Sequence, residues 1–212
     1  MRRKKVVEIK RAEIAVLVSG NGTNLQALLD AENFGVLEHG HISLVISSKE
    51  GAYALKRAGR ACIKTMTLDR KKLGRELFER ELAAALEGYD LIVLAGFMCI
   101  LSEDFTRKFD KKIINIHPSL IPSFCGEGFY GLRVHKAALD YGVKVTGATV
   151  HFVNEIPDGG RIIMQKAINV EEGDTPEILQ KRVMENAEWI ILPASAEKVC
   201  RKIKEEKPNE CV

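Results

Sequence analysis

The strongest constraint on the fold is an alternation. Short, uninterrupted apolar runs recur along the chain, each followed by a longer stretch whose apolar residues return at helical spacing. The first run is Ile14 to Val18; it stops at Ser19 to Asn24 (S-G-N-G-T-N), after which Leu25, Leu28 and Leu29 lie on one helical face. An apolar run without polar interruption suits a strand buried on both sides, and strands that alternate with helices imply a mainly parallel sheet covered on both faces. The expected class is therefore α/β, a doubly wound, mostly parallel but mixed sheet.

The pattern continues. Ile42 to Ile46 reads as a second strand, Ala52 to Ala58 as a short helix, Ile63 to Met66 as a third strand, and Lys71 to Leu86 as a long helix with Leu73, Leu77, Phe78 and Leu82 apolar. Leu91 to Ala95 is another buried strand. Ser102 caps a helix running to Phe109, and Ile113 to Ile116 forms a strand that ends near Pro118. A loop marked by Pro and Gly follows from Pro118 to about Gly131, a length that in compact domains usually carries function. Val134 to Asp140 is helical, Lys144 to Val153 and Arg161 to Val170 pair as antiparallel strands, and Thr175 with Pro176 opens a final helix. A chain of 212 residues, 46% hydrophobic, suits one core, so a single domain is expected over residues 12–205, with solvated termini at 1–11 and 206–212.

Composition narrows the function. A formal charge of +3 with 29% charged residues gives no nucleic-acid footprint, and the basic stretches MRRKK and RKIKEEK read as solvated ends. No apolar run approaches the roughly 18 residues of a membrane span, and Val6 with Val7 is too short for a secretory core; a cytoplasmic protein is expected. The five cysteines, at 62, 99, 125, 200 and 211, are odd in number and include no C-x-x-C, which argues against a disulfide framework and against a zinc site. No metal is expected.

Three short stretches carry chemistry. In S-G-N-G-T-N the glycines allow a close backbone approach, and the following helix offers free N–H groups, so the loop suits a phosphate; a tight turn without a ligand is the alternative. Its spacing fits neither a dinucleotide fingerprint nor a Walker lysine motif. In I-I-N-I-H-P, Asn115 and His117 share one face of a strand at its carboxyl end, where open α/β sheets place ligands. Asn offers a donor to a developing oxyanion and His moves protons near neutral pH; a half-exposed edge strand gives the same alternation. In H-F-V-N-E-I-P-D-G-G, Asp158 serves either the turn itself or, with His151, a proton path around a catalytic histidine.

Taken in order, VLVSGNGTNLQALLD, LIVLAGFMCIL, INIHPSLIPSF and GVKVTGATVHFV with DGG resemble the folate-dependent phosphoribosylglycinamide formyltransferase family, from about Ile14 to Pro193. The resemblance implies a doubly wound mixed sheet and transfer of the formyl group of 10-formyltetrahydrofolate, a co-substrate, to the amine of glycinamide ribonucleotide in purine synthesis. It places phosphate and ribose on Gly22, Thr23 and Asn24, with Glu188 as a further substrate contact. It makes Asn115, His117 and Asp158 catalytic, acting on a tetrahedral intermediate. It assigns the folate to Arg75, to Met98, Cys99, Ile100 and Leu101 chiefly through their backbone, and to Asn115. A monomer or homodimer, with no nucleic-acid or membrane partner, is implied.

The sequence departs from the family's pattern in three places. Cys99 stands where many relatives have arginine, the loop F-C-G-E-G-F-Y-G-L-R is longer, and A-E-W replaces A-E-H with an extra residue upstream. Rival readings are formylation of a sugar nucleotide or of methionyl-tRNA, hydrolysis of formyl-folate, and nucleotide binding without catalysis. The tRNA enzyme and the hydrolase each carry an added domain for which this chain has no residues. A binding module has no need of Asn115, His117 and Asp158 together.

Overall fold

The computed structural model describes residues 11–206. The opening MRRKK, the Val6 and Val7 pair and Cys211 lie outside the described residues, as do the terminal segments 1–10 and 207–212. Seven strands form one sheet: β1 (Ala12–Val18), β2 (Gly40–Ser47), β3 (Lys64–Thr67), β4 (Leu91–Leu94), β5 (Ile113–His117), β6 (Val145–Phe152) and β7 (Ile162–Asn169). The spatial order is β3-β2-β1-β4-β5-β6-β7. Pairing is parallel from β3 to β5 and antiparallel for β5 with β6 and β6 with β7. This is the mixed, mostly parallel sheet that the alternation of runs implies.

Helices cover both faces, and β1 shows why a continuous apolar run is needed there. Ile14, Val16 and Val18 pack with Leu25 and Leu28 of α1 (Thr23–Asn33), while Ala15 and Leu17 pack on the other face with Phe78 and Leu82 of α3 (Arg70–Ala85). All of these residues are fully buried or nearly so. Between them in the chain, α2 (Tyr53–Arg60) packs against the β1–α1 connection. Ser102 caps α4 (Glu103–Lys108) by accepting from Phe105 N, and α5 (Leu132–Tyr141) follows the long loop.

Two expected helices are present but interrupted. The helix over 71–86 breaks at Gly74, whose φ of 73° and ψ of 172° suit only glycine. Asp69 caps the short first turn, and Arg75 starts the next segment. The final helix is three pieces: α6 (Pro176–Val183), a π-helical turn (Met184–Glu188) and α7 (Trp189–Glu206). Thr175 accepts from Ile178 N and caps α6 as expected. A π turn holds one residue more than an α turn, and this one sits directly upstream of Trp189.

Sheet order decides where a ligand binds. From β1 the chain crosses to β2 on one side, and from β4 it crosses to β5 on the other, so the carboxyl ends of β1 and β4 flank the crevice that open α/β sheets use. Among the described residues no helix is long and apolar enough to cross a membrane.

Candidate functional site

The loop after β1 is held at its first residue and open at its last. Ser19 Oγ lies 2.6 Å from Ser48 Oγ at the end of β2 and accepts from Met98 N at 2.9 Å, which ties this loop to the segment after β4. Gly22 closes the loop with φ 72°, and no side chain caps the first turn of α1. The first helical bond runs from Gln26 N to Gly22 O, so the N–H groups ahead of it are the unpaired donors with which helix N-termini meet anions. Asn24, just inside α1, donates through Nδ2 to Glu188 Oε2 at 2.6 Å, and its buried Oδ1 has no partner among the described residues. Glu188 is 6% exposed, and burial pushes its carboxyl up to about 7, against the Asn24 hydrogen bond. Thr23 Oγ1 reaches Met184 Sδ at 3.9 Å. Gly22, Thr23, Asn24 and Glu188 are thus brought together by α1 and the π turn.

The second cluster forms where β5 and β6 pair. Asn115 lies opposite His151, and His117 opposite Thr149. Asp158 arrives from the turn after β6, in a left-handed conformation (φ 56°) that Asp and Asn tolerate better than most residues. Its Oδ1 is 3.4 Å from Asn115 Nδ2 and 3.6 Å from His151 Nε2; its Oδ2 is 3.4 Å from His117 Nδ1 and accepts from Gly126 N at 2.9 Å. Phe124 O is 2.9 Å from His117 Nε2, and Phe152 O is 2.8 Å from His151 Nδ1.

Carbonyls only accept, so these contacts fix the protons. His151 carries its proton on Nδ1 and offers its Nε2 lone pair to Asn115 Nδ2 at 3.2 Å. That orients the Asn115 amide with its nitrogen toward the cluster. His117 carries a proton on Nε2 and faces a carboxylate with Nδ1, so the imidazolium has an acceptor on each side. Burial nevertheless outweighs Asp158 and the Phe124 carbonyl, and the His117 pKa lies below its ordinary 6.5. The Asp158 pKa lies below 3.8: burial raises it, but the histidines and Gly126 N together outweigh burial. At neutral pH Asp158 is thus a carboxylate facing a neutral His117 imidazole that can take up one more proton.

The third group is the segment after β4. Met98 and Ile100 are 56% and 60% exposed, and the Cys99 thiol is half-buried, with its pKa raised by burial despite a hydrogen bond to Ser48 and the charge of Arg70. Arg75 pairs with Glu79 at 3.4 Å, and Glu79 accepts from Ser102 N at 3.0 Å, one residue beyond Leu101. Arg75 is therefore linked to the 98–101 segment through a carboxylate. Among the described residues no group of three or more His, Cys, Asp or Glu is placed to hold a metal ion.

Residues 12–195 match the family model described as formyl transferase. The chain belongs to the formyl transferase family. It is 42% identical over 187 residues to phosphoribosylglycinamide formyltransferase of Haemophilus influenzae, covering 85% of this chain and 84% of that protein. It is 45% identical over 196 residues to the trifunctional purine biosynthetic protein adenosine-3 of Gallus gallus, covering 91% of this chain but only 19% of that one. The crystal structure of glycinamide ribonucleotide transformylase 1 from Symbiobacterium toebii superposes with a TM-score of 0.84 at 40% identity, covering 91% of this chain and 89% of that one. The α/β sheet is thus the sheet of this family.

Within the formyl transferase frame, two features were not legible in the motifs. His135, on the first turns of α5, is 1% exposed, and neither ring nitrogen has a partner among the described residues. Burial and the nearby His117 pull its pKa down to about 4. Only its place just after the long loop could have flagged it. Arg57, on α2, donates to the carbonyl of Asn21; its signal was a basic residue on a helix far from every motif.

Proposed function

We propose that the chain transfers the formyl group of 10-formyltetrahydrofolate to the amine of glycinamide ribonucleotide, a step of purine synthesis. The observation that carries this reading is Asp158, whose two oxygens face Asn115, His117 and His151 together at the end of β5. The anion loop after β1 and the 98–101 segment after β4 open on the same edge of the sheet and are joined through Ser19. The relatives named as phosphoribosylglycinamide formyltransferases support the choice of acceptor.

In this reading Gly22, Thr23 and Asn24 hold the acceptor's phosphate and ribose, with Glu188 behind them. The folate lies against Met98, Cys99, Ile100 and Leu101 along their backbone, with Arg75 at one end and Asn115 at the other. When the amine attacks the formyl carbon, the carbonyl oxygen gains negative charge, the amine must lose a proton and the folate nitrogen must gain one. An Asn115 Nδ2 hydrogen, held loosely at 3.4 Å by Asp158, turns to that oxygen. The His117 Nε2–H now accepted by Phe124 O joins it once the loop carbonyl turns aside. Asp158 stabilises the imidazolium that forms when His117 takes the amine's proton; as the intermediate collapses, the bond from the formyl carbon to the folate nitrogen breaks and that nitrogen receives the proton.

The test is turnover. Purified protein is incubated with both substrates, and deformylated folate and formylated acceptor are quantified together; equal amounts are expected. Deformylated folate without formylated acceptor would replace transfer by hydrolysis, and no product of either kind would sink the reading.

A further inference from the structure

Helix α2 does more than cover the sheet, because it turns two peptide groups of the loop after β1. Ala54 N donates to Gly20 O at 3.1 Å, and Arg57 Nε donates to Asn21 O at 2.9 Å. Both carbonyls therefore face α2. In a trans peptide the N–H of the following residue points opposite to the carbonyl, and among the described residues the cis bond is Ile121–Pro122. The N–H groups of Asn21 and Gly22 consequently face away from α2. Successive N–H groups turned to one side make a concavity that binds anions.

The arrangement is tight and its cation is well anchored. A Cβ added at Gly22 would lie 2.6 Å from Ala54 Cβ, so loop and helix are in direct backbone contact. Arg57 Nη1 donates to Gln26 Oε1 at 3.0 Å, and its guanidinium carbon sits 5.1 Å from the centre of the Tyr53 ring. Its hydrogen-bond partners among the described residues are a carbonyl and an amide, neither of which neutralises its charge. On the other side Asn24, 9% exposed, keeps its buried Oδ1 without a partner among the described residues.

We propose that Arg57 is a positioning residue for the acceptor's phosphate: by fixing the Asn21 carbonyl it aims the Gly22 N–H at the anion. The inference rests on reading the loop after β1 as the phosphate site. Its action is through hydrogen-bond direction, with the positive charge a secondary contribution. Lysine, a compact point charge without a planar fork, cannot reproduce it.

Calorimetry with inorganic phosphate and with glycinamide ribonucleotide tests this on the parent, Arg57→Ala, Arg57→Lys and, as a control on the same helix, Arg60→Ala. Steady-state constants are measured in parallel for the ribonucleotide and for glycinamide riboside, which lacks the phosphate. Losing one charge-assisted hydrogen bond, Arg57→Ala should bind both phosphate compounds about tenfold or more weakly. Its KM for the ribonucleotide should rise to match, its kcat should stay within about twofold, and its constants for the riboside should equal the parent's. Arg57→Lys should recover only part of the loss and Arg60→Ala should show none. Equal loss with the riboside, full recovery by lysine, or parent-like phosphate binding by Arg57→Ala would each overturn the proposal. Phosphate binding does not depend on formyl transfer, so a parent that binds phosphate yet forms no product sinks the functional reading alone. Should Arg57→Ala melt too early to assay, Arg57→Lys against the parent carries the same contrast.

Discussion

The two ends of the site are built in opposite ways. In the proposed reaction the proton-moving end is made of side chains from β5, β6 and the turn at Asp158, and backbone groups, Phe124 O, Phe152 O and Gly126 N, hold them in place. At the proposed anion end, backbone N–H groups are what would meet the phosphate, and a side chain, Arg57, holds the backbone. The difference follows from the chemistry each end serves. Moving a proton needs groups whose charge can change, which the backbone lacks; holding a permanent anion needs fixed dipoles at close range, which glycine-bearing backbone supplies best. The first end should therefore fail through loss of one side chain's charge, the second through loss of geometry.

The sharpest way to break that comparison is Asp158→Asn. Asparagine accepts the left-handed φ of 56° and keeps the shape of the turn, but removes the charge. The Asp158 carboxylate raises the His117 pKa, so without it that pKa falls further below 6.5. Loss of general acid and base assistance should lower kcat by about 10²- to 10⁴-fold, while ribonucleotide affinity and melting temperature stay near the parent values. Parental turnover with a lower melting temperature would show Asp158 to be a turn residue only, and side-chain charge would no longer distinguish the two ends.

This contrast also explains what could be read from the sequence. Side-chain chemistry leaves its mark as residue type: Asn115 and His117 at a two-residue spacing, and Asp158 in a turn, were visible because strand periodicity puts the first two on one face. Caps were visible for the same reason, since Ser102 and Thr175 act within three residues of their targets. The apolar runs gave the strands, including the antiparallel pair β6 and β7. Backbone chemistry was legible only at its glycines. That Arg57 turns the Asn21 carbonyl depends on a contact across 36 positions, and no local pattern encodes it. The break at Gly74 and the π turn were hidden because the apolar spacing on either side of each still reads as helical. His135 was hidden because a lone histidine on an apolar helix face looks the same whether or not its nitrogens are satisfied.

A second pair of variants sharpens the comparison at the level of stability, since one buried titratable group lies behind each end. His135 has a pKa of about 4 when folded, against 6.5 unfolded. Between those values the unfolded chain binds a proton that the folded chain excludes, so stability falls as pH drops through the window, by roughly 3 kcal/mol when complete. Glu188 runs the other way. Its folded pKa of about 7, against 4.5, means that the folded chain keeps a proton the unfolded chain has lost; stability present below 4.5 declines as pH rises through 7, by roughly the same amount. In the overlap the two oppose each other and the parent should show little net slope from this pair. Relative to the parent, His135→Phe should gain stability toward acid, and Glu188→Gln should gain it toward neutral pH. Urea unfolding at several values between pH 5 and 7.5 measures both; three parallel curves would mean that neither group titrates as its burial implies.

The smallest effect is expected at Cys99, and it asks whether the proposed folate segment, 98–101, follows the anion end or the proton-moving end. Its thiol is a weak donor, half-buried and already turned to Ser48. The group that fixes the segment is instead Met98 N, held by Ser19 Oγ at 2.9 Å. If the segment is backbone-built, Cys99→Ala should shift the KM for 10-formyltetrahydrofolate by no more than about twofold, because a weak, partly solvated hydrogen bond contributes little. Ser19→Ala, which frees Met98 N and also removes the partner of Ser48 Oγ, should raise that KM several-fold, about the worth of one to two neutral hydrogen bonds. The order of the two effects is what discriminates. A larger loss at Cys99 than at Ser19 would mean that a side chain reads the folate there, and the segment would belong with the catalytic cluster rather than with the backbone-built loop beside it.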